Sequence, residues 1–378
     1  MYGILSKVVN KNEDSTFDAE TDFFEYQQCL EEFEAINDAL VAVEHLNSVI
    51  DIVSTMGASK GFIAFVNPKG EISNFGIPSL EDFSEGQDHI AVESFSDKVV
   101  DAWNKFIEML KALGTKILNA LKQAKDYILK LFKGTNNTED SFKKIEDVVE
   151  DVRENKEEKA KKIIELVNKS KFKILTLDEM YTLSHYMLKL RMSYKEFLDT
   201  FVISVISEPR DKNIVNKYRS EIINKIHQAG YESYTRKIFK YIDEIKQLLS
   251  KKKNMTLLDA NYLKLSDDNK FVLVMTDSSN FKELDFDNND NVLYSIKNII
   301  TATTQYMVDL QKDLDRFNKN SESYNTDQEI KILLDFFKVV LDISNKIAMI
   351  STSTMAYIAQ FRKIMDSLAK QVQKIADA

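Results

Sequence analysis

Hydrophobic residues recur every three or four positions along most of the chain, and this spacing is the period of an amphipathic α-helix. Between residues 17 and 55 the apolar positions keep this step while glutamates occupy the opposite face, which predicts a long N-terminal helix. The same spacing predicts further helices over about 140–169, 177–207, 211–250, 291–318 and 326–376. The sequence therefore predicts a mainly α fold, a multi-helix bundle with long helices.

Two segments change to the two-residue period of β-strands. Apolar residues alternate on both sides of the turn sequence Asn67-Pro68-Lys69-Gly70, which predicts a small N-terminal β-hairpin over residues 61–78. Further along, Phe271–Met275 has the composition of a strand, with Leu263–Leu265 as its expected partner. We therefore expect one small β insert near residues 255–285.

The most regular amphipathic pattern lies between Ser94 and Gly134. It begins with an N-capping Ser96 and an acid in the first turn, and it ends with a lysine followed by a C′ glycine. Trp103 and Phe106 belong to the apolar face, so the sequence predicts a helix over residues 97–133. The 41 residues carry 4 acids and 8 lysines, namely Lys98, Lys105, Lys111, Lys116, Lys122, Lys125, Lys130 and Lys133.

Composition supports a helical protein. The chain holds 9 Gly and 3 Pro in 378 residues, whereas a chain of this length with average usage carries about 45 of the two together. Sandwiches, barrels and dinucleotide folds need glycine at turns and phosphate loops, so they are excluded. A single cysteine cannot form an internal disulfide or a cysteine-based zinc site.

Charge divides the chain near residue 93. Residues 1–93 contain 4 Lys and 18 Asp or Glu, a net charge of −14; since the whole chain carries −9, the remainder carries +5. Six of the nine glycines and two of the three prolines also lie before residue 94. We expect an acidic helix-plus-hairpin leader (1–93) ending in a linker (79–95), a basic amphipathic segment (94–134) and a helical body (135–378) with the β insert at 254–290.

No familiar catalytic motif is present. The sequence lacks a nucleophile-elbow motif, a phosphate-binding glycine loop and a zinc-binding H-E-x-x-H motif, and its four histidines lie far apart. Cys29 lies among carboxylates, which raise a thiol pKa. Asp285–Asp290 resembles a calcium loop but lacks its glycine and terminal glutamate, so a helix-capping turn is the preferred interpretation. We expect no catalytic residue, no metal and no cofactor.

Two other basic clusters, Lys143-Lys144 and Lys251-Lys252-Lys253, are interpreted as solvated faces because no aromatic residues are interleaved with them. The N-terminus lacks an export signal, and no apolar run reaches the length of a membrane-spanning helix. The longest uncharged run, Ile347–Phe361, contains four Ser or Thr and predicts a buried helix with a strip of small residues. We expect this strip to face a similar one at Asn298–Val308.

The junction between leader and body resembles a known family. Pro78-Ser79-Leu80-Glu81-Asp82-Phe83, then Ala91-Val92-Glu93-Ser94-Phe95 and the lysine-rich helix around Trp103 are similar to the internal head (inner-body) protein precursors of large tailed bacteriophages. The resemblance covers about residues 17–134. Members carry an acidic N-terminal propeptide that the phage prohead protease removes, cutting after a Glu that has a small residue two positions before it.

The resemblance implies cleavage after Glu81, in Ser79-Leu80-Glu81, or after Glu93, in Ala91-Val92-Glu93 before Ser94. Ala42-Val43-Glu44 and Gly230-Tyr231-Glu232 also match the motif but lie in predicted helices. The implied protein is a non-enzymatic component of the virion interior, made in the host cytoplasm. Its implied partners are the prohead protease, other head or core proteins and packaged DNA, and family members are ejected with the genome in some cases.

Several interpretations of the lysine-rich segment remain open at this point. The simplest is a helix packed on the rest of the body. The same segment also suits non-specific contact of its lysines with DNA phosphates. A membrane-surface protein is the main alternative function, because Trp103 and Phe106 opposite a lysine face suit an interfacial helix over 97–133. An enzyme of unfamiliar type is a third alternative.

Overall fold

The fold is taken from a computed structural model, which describes residues 19–73, 77–91, 96–132, 157–202, 231–266, 271–274 and 328–378 and isolated positions between 141 and 148. The helices in these ranges are α1 (Ala19–Met56), α2 (Lys60–Val66), α3 (Ser96–Phe132), α4 (Glu157–Lys169), α5 (Leu177–Phe197), α6 (Tyr231–Ser250) and α7 (Gln328–Asp377). A 3₁₀ turn spans Leu80–Asp82, and a π-helical turn, Leu198–Val202, continues α5. The mainly α class is confirmed.

The strands within these described ranges are short and pair in three antiparallel ribbons. They are β1 (Ala58–Ser59), β2 (His89–Ile90), β3 (Phe172–Ile174), β4 (Lys253–Met255), β5 (Leu263–Leu265) and β6 (Phe271–Leu273). β1 pairs with β2, β3 with β4, and β5 with β6. The last pair confirms the expected β insert, with Leu263 opposite Leu273.

α7 is the central helix of the described fold. Its 50 residues extend over about 75 Å at the usual rise of an α-helix. Asn345 Nδ2 donates to the carbonyl of Phe33 in α1, and Lys159 Nζ, in α4, donates to the carbonyl of Ala376 near the far end. Between these points, the Thr354 hydroxyl lies 3.7 Å from Met187 Sδ in α5. One helix therefore joins elements from both ends of the sequence.

α1 runs antiparallel to α7. Asn47 Nδ2 donates to Asp335 Oδ1 at 2.8 Å, whereas the earlier Phe33 meets the later Asn345. α3 returns antiparallel to α1, since β2 immediately before it pairs with β1 at the end of α1 and Gln123 lies beside Glu32. Buried residues of α1, α3 and α7 belong to one continuous hydrophobic core. The charge boundary at residue 93 therefore does not separate two independently packed units.

The middle of α7 is enclosed, as its uncharged sequence predicts. Ser351, Thr352, Thr354, Ala356 and Ala359 are all buried. The two threonines are compatible with a core because a helical hydroxyl can donate to the carbonyl four residues earlier, as Thr352 does to Ala348 and Thr354 to Ile350. The expected partner strip, 298–308, and the helix predicted over 291–318 lie outside the described residues.

The predicted hairpin at 61–78 is wrong, because Lys60–Val66 is helical and the described residues after the turn, 71–73 and 77–78, form no strand. The Ser59 side chain caps this helix by accepting from the Phe62 amide at 3.2 Å. Ile63 is buried, and Phe62 and Val66 pack against the core at helical four-residue spacing. The sequence FIAFV satisfies both periods over such a short stretch, and the N-cap favours the helix. The turn at Asn67–Gly70 is confirmed, with Gly70 at a φ of +70°.

Candidate cleavage junction and basic surface

The segment predicted as a flexible linker, 79–95, is folded where it is described. Ile77, Phe83 and Ile90 are buried, and Ile90 lies in β2 opposite Ala58. Glycine is required at the end of α1 for this pairing, because Gly57 has a φ of +78° and a Cβ there would lie 2.5 Å from the Ile90 carbonyl oxygen. Acidic, serine-rich composition predicted a linker, but three apolar side chains are enough to anchor these residues to the core.

The first candidate cleavage motif, Ser79-Leu80-Glu81, lies in this folded segment. The Asp82 carboxylate accepts from the Ser79 amide at 2.7 Å and from the Ser79 hydroxyl at 3.1 Å. Leu80 is half-buried and packs against the core, while Glu81 is exposed. A protease binds its substrate as an extended strand. The 3₁₀ turn at Leu80–Asp82 therefore has to open before cleavage after Glu81.

The buried side chain of Asn67 holds this region together through hydrogen bonds. Its amide nitrogen donates to the Ser73 hydroxyl at 3.0 Å and to the Pro78 carbonyl at 3.1 Å. Its amide oxygen accepts from the Ile72 amide at 3.0 Å. This residue joins the turn after α2 to the residue immediately before the first motif, which holds that motif in its folded form.

The second motif, Ala91-Val92-Glu93, occupies a different position. Ala91 is exposed and directly follows β2. Glu93 and Ser94 lie outside the described residues, in the four-residue gap between Ala91 and the start of α3 at Ser96. The motif therefore falls in the connection between two described elements rather than within either of them.

α1 places the acidic part of the chain against the body. Its apolar side is buried, and its outward side carries the exposed acids Glu31, Glu34, Asp38, Glu44 and Asp51. Lys338 of α7 forms an ion pair with Glu44 at 3.4 Å. Burial raises the pKa of Asp335, although Lys338 and the hydrogen bond from Asn47 act in the opposite direction. The packing of α1 on α7 was not predicted, because both helices have the same simple amphipathic pattern.

The apolar face of α3 is also buried. Trp103 is 8% exposed and Phe106 is fully buried, and their rings meet edge to face at 5.7 Å between centroids. Both residues were expected to contact DNA or a membrane. In the folded protein this face packs into the core shared with α1 and α7.

The outer face of α3 carries the predicted lysines. Lys105, Lys116, Lys122 and Lys130 are exposed, and Lys111 and Lys125 are partly exposed. Lys133 and the side chain of Lys98 lie outside the described residues. Asp101, Glu108 and Asp126 are exposed on the same helix. The surface is therefore one of mixed charge with a modest excess of lysine.

The side chains considered for catalysis are scattered. His45, His89 and His185 are exposed on three different elements, His227 lies outside the described residues, and Cys29 is buried. Among the described residues, no group of three His, Cys, Asp or Glu is placed to hold a metal ion. The same part of the chain contains no helix long and apolar enough to cross a membrane. The calcium-like sequence 285–290 lies outside it.

Comparison of the chain with protein-family models, with curated proteins and with solved structures gave no match.

Proposed function

We propose that this chain is a non-enzymatic internal head protein of a large tailed bacteriophage, cut once after Glu93 and packaged with DNA. The observation that carries the proposal is that the cleavage motif, the change in net charge and a connection between two elements lie at the same place in the chain. The motif Ala91-Val92-Glu93 lies where the net charge changes from −14 to +5, and it falls in the connection between β2 and α3. A cut there separates the acidic segment from the basic one without breaking a described helix or strand.

Glu93 is a better cleavage site than Glu81. Cleavage after Glu81 requires the 3₁₀ turn at Leu80–Asp82 to open and the half-buried Leu80 to leave its packing. Ala91 is exposed already. A cut in the connection before Ser96 leaves the hydrogen bonds of Asn67 and the β1–β2 pairing in place.

The acidic segment has a structural role in this proposal. α1 covers the apolar faces of α3 and α7, so it keeps the newly made protein folded while its outward carboxylates repel phosphate. A repulsion of this kind weakens contact of this face of the protein with nucleic acid. The partners of the proposed function are the prohead protease, other head or core proteins and packaged DNA, and the proposed location is the virion interior.

The membrane-surface alternative conflicts with the packing of α3. It requires Trp103 and Phe106 to leave the core that they share with α1, and no observation in the described residues favours that rearrangement.

The proposal is tested by mapping N-termini of the protein in purified virions by mass spectrometry. Ser94 is the expected first residue of the larger fragment. Glu93→Gln is expected to block this cut, whereas the matched Glu81→Gln variant is processed normally. An intact chain starting at Met1 in mature particles, or absence of the protein from them, contradicts the proposal.

A further inference from the structure

Two lysine-rich segments that are about 80 residues apart in sequence meet in the β3–β4 ribbon. Phe172 pairs with Met255, Lys173 with Asn254, and Ile174 with Lys253. This register places residues 172–174 opposite 253–255, and residues 169–171 and 250–252 directly precede the two strands. The twelve residues contain six lysines and no acid. We call five of these lysines the lysine ribbon, and they are Lys171, Lys173, Lys251, Lys252 and Lys253.

The charges of the lysine ribbon are not neutralised locally. Lys169 pairs with Glu165 at 3.0 Å, but the five ribbon lysines form no ion pair with any residue that the structure describes. Lys171, Lys173, Lys251 and Lys253 are exposed.

The carboxylates nearest in sequence after the strands are mostly engaged elsewhere. Glu179 accepts from the Thr176 amide at 2.8 Å, and Asp259 accepts from the Thr256 amide at 3.3 Å. Asp178, in the first turn of α5, is exposed, and its carboxylate forms no such bond with the residues that the structure describes. These acids lie on the helix and turn that follow the strands, so the ribbon itself stays positive.

Lys252 anchors the ribbon to the body. Its ammonium group lies 5.3 Å from the centre of the Tyr357 ring in α7, and the Tyr357 hydroxyl accepts from the Leu175 amide just after β3 at 2.9 Å. Burial lowers the pKa of Lys252, and repulsion by Lys173 lowers it further. The two ammonium groups are therefore held close enough to repel each other, and an anion between them relieves that repulsion.

The strand geometry concentrates this charge. Residues two apart along a strand are about 6.6 Å apart, and diagonal neighbours across a ribbon are about 7–8 Å apart. Both distances are shorter than the screening length of about 8–10 Å at physiological salt. The potentials of neighbouring lysines, Lys171 with Lys173 and Lys251 with Lys253, therefore add. The lysines of α3 are interspersed with Asp101, Glu108 and Asp126.

We infer that the lysine ribbon is a binding surface for the sugar-phosphate backbone of double-stranded DNA. The surface offers ammonium groups for phosphates, and Phe172 and Met255 are half-buried rather than presented for insertion. Binding to a lipid interface needs apolar side chains that enter the bilayer in addition to cations. Contacts of lysine with phosphate alone give binding that is independent of sequence and sensitive to salt.

The inference rests on the proposed function only in taking packaged DNA as the natural ligand. The proposed function and the inference can fail separately. The cut after Glu93 is measured on protein from virions, whereas DNA binding by the ribbon is measured on purified full-length protein. A virion protein starting at Ser94 whose ribbon does not bind DNA leaves the proposed function standing and overturns the inference.

The test measures binding of the full chain to a fluorescent 30-base-pair duplex of mixed sequence by anisotropy over a range of salt concentrations. The ribbon variant combines Lys171→Gln, Lys173→Gln, Lys251→Gln and Lys253→Gln, which keeps Lys252 and its ring contact. The matched control changes four lysines of α3, with Lys105→Gln, Lys116→Gln, Lys122→Gln and Lys130→Gln. Circular dichroism melting checks that both variants fold.

Each phosphate contact contributes about 0.9 to the slope of log K against log salt. We expect the ribbon variant to lose at least tenfold in affinity at 100 mM salt and to show a slope shallower by about 2–4, with the α3 control close to the unchanged protein. An unchanged slope in the ribbon variant overturns the inference, and so does an equal loss in the control. Ribbon-dependent sedimentation with phosphatidylserine vesicles in the absence of DNA binding also overturns it.

Discussion

Cutting the chain after Glu93 should leave the two fragments bound to each other. The perturbation replaces Ala91–Phe95 with the recognition sequence of a specific protease, followed by digestion of the folded protein. A short covalent connection acts as an effective concentration of about 1 mM. At 1 µM protein, loss of the connection makes association of the two fragments less favourable by about 4 kcal/mol, since each factor of ten in concentration is worth about 1.4 kcal/mol.

The stabilisation from burying the apolar side of α1 is larger than this loss of association free energy. Eight large apolar side chains of α1 are at most 5% exposed, namely Phe33, Ile36, Leu40, Val43, Leu46, Val49, Ile50 and Val53. Complete burial of one such side chain contributes about 1.5–3 kcal/mol, so the eight together contribute at least about 12 kcal/mol to the core that α1 shares with α3 and α7. The hydrogen bonds of Asn47 and Asn345 add to the same interface.

Native mass spectrometry and size-exclusion chromatography of the digested protein measure the outcome. We expect one species that contains both fragments at 1 µM and separates only in denaturant. Nicked protein carrying Phe33→Ala serves as a sensitised control and should separate at a lower urea concentration. Spontaneous release of residues 1–93 without denaturant refutes the argument that α1 is a core helix.

Further outcomes follow from single residues. Gly57→Ala should destabilise the protein by at least about 1–2 kcal/mol in urea unfolding, because a left-handed conformation is unfavourable for alanine and its Cβ meets the Ile90 carbonyl. Asn67→Ala breaks three hydrogen bonds and should cost about 1–3 kcal/mol, visible as faster limited proteolysis near Glu81. Burial raises the pKa of Asp335, so its ionised form is unfavourable in the fold at neutral pH and the cost disappears on protonation; Asp335→Asn should therefore raise Tm at pH 7 but not at pH 3. Lys173→Gln removes a repulsion and should raise the pKa of Lys252, measured by ¹³C NMR of the lysine ε-carbons.

Local patterns in the sequence predicted the elements better than their partners. The helix over 97–133 and the pairing of Leu263–Leu265 with Phe271–Leu273 follow from spacing and composition, and both are present. Lys60–Val66 was missed because seven residues rich in apolar side chains fit two periods, and one capping hydroxyl favours the helix.

Contacts between distant segments could not be predicted in this way. The burial of Trp103 and Phe106 depends on α1 and α7, and nothing within residues 97–133 distinguishes a face that meets protein from one that meets lipid. The lysine ribbon likewise depends on a contact between segments that are distant in sequence. Lys251–Lys253 are conspicuous in the sequence, but only the pairing with Phe172–Ile174 brings the strand that contains Lys173 beside them.

The central position of α7 affects how the protein is made. It is synthesised after the other described helices, and α1 and α3 both need it to complete their core. About 200 residues separate the end of α3 from the start of α7, so a ribosome working at about 5–20 residues per second takes roughly 10–40 s to reach it. During that interval the nascent chain holds an antiparallel helix pair with an uncovered apolar side. Premature termination before residue 328 should therefore give aggregation-prone chains rather than a smaller folded protein.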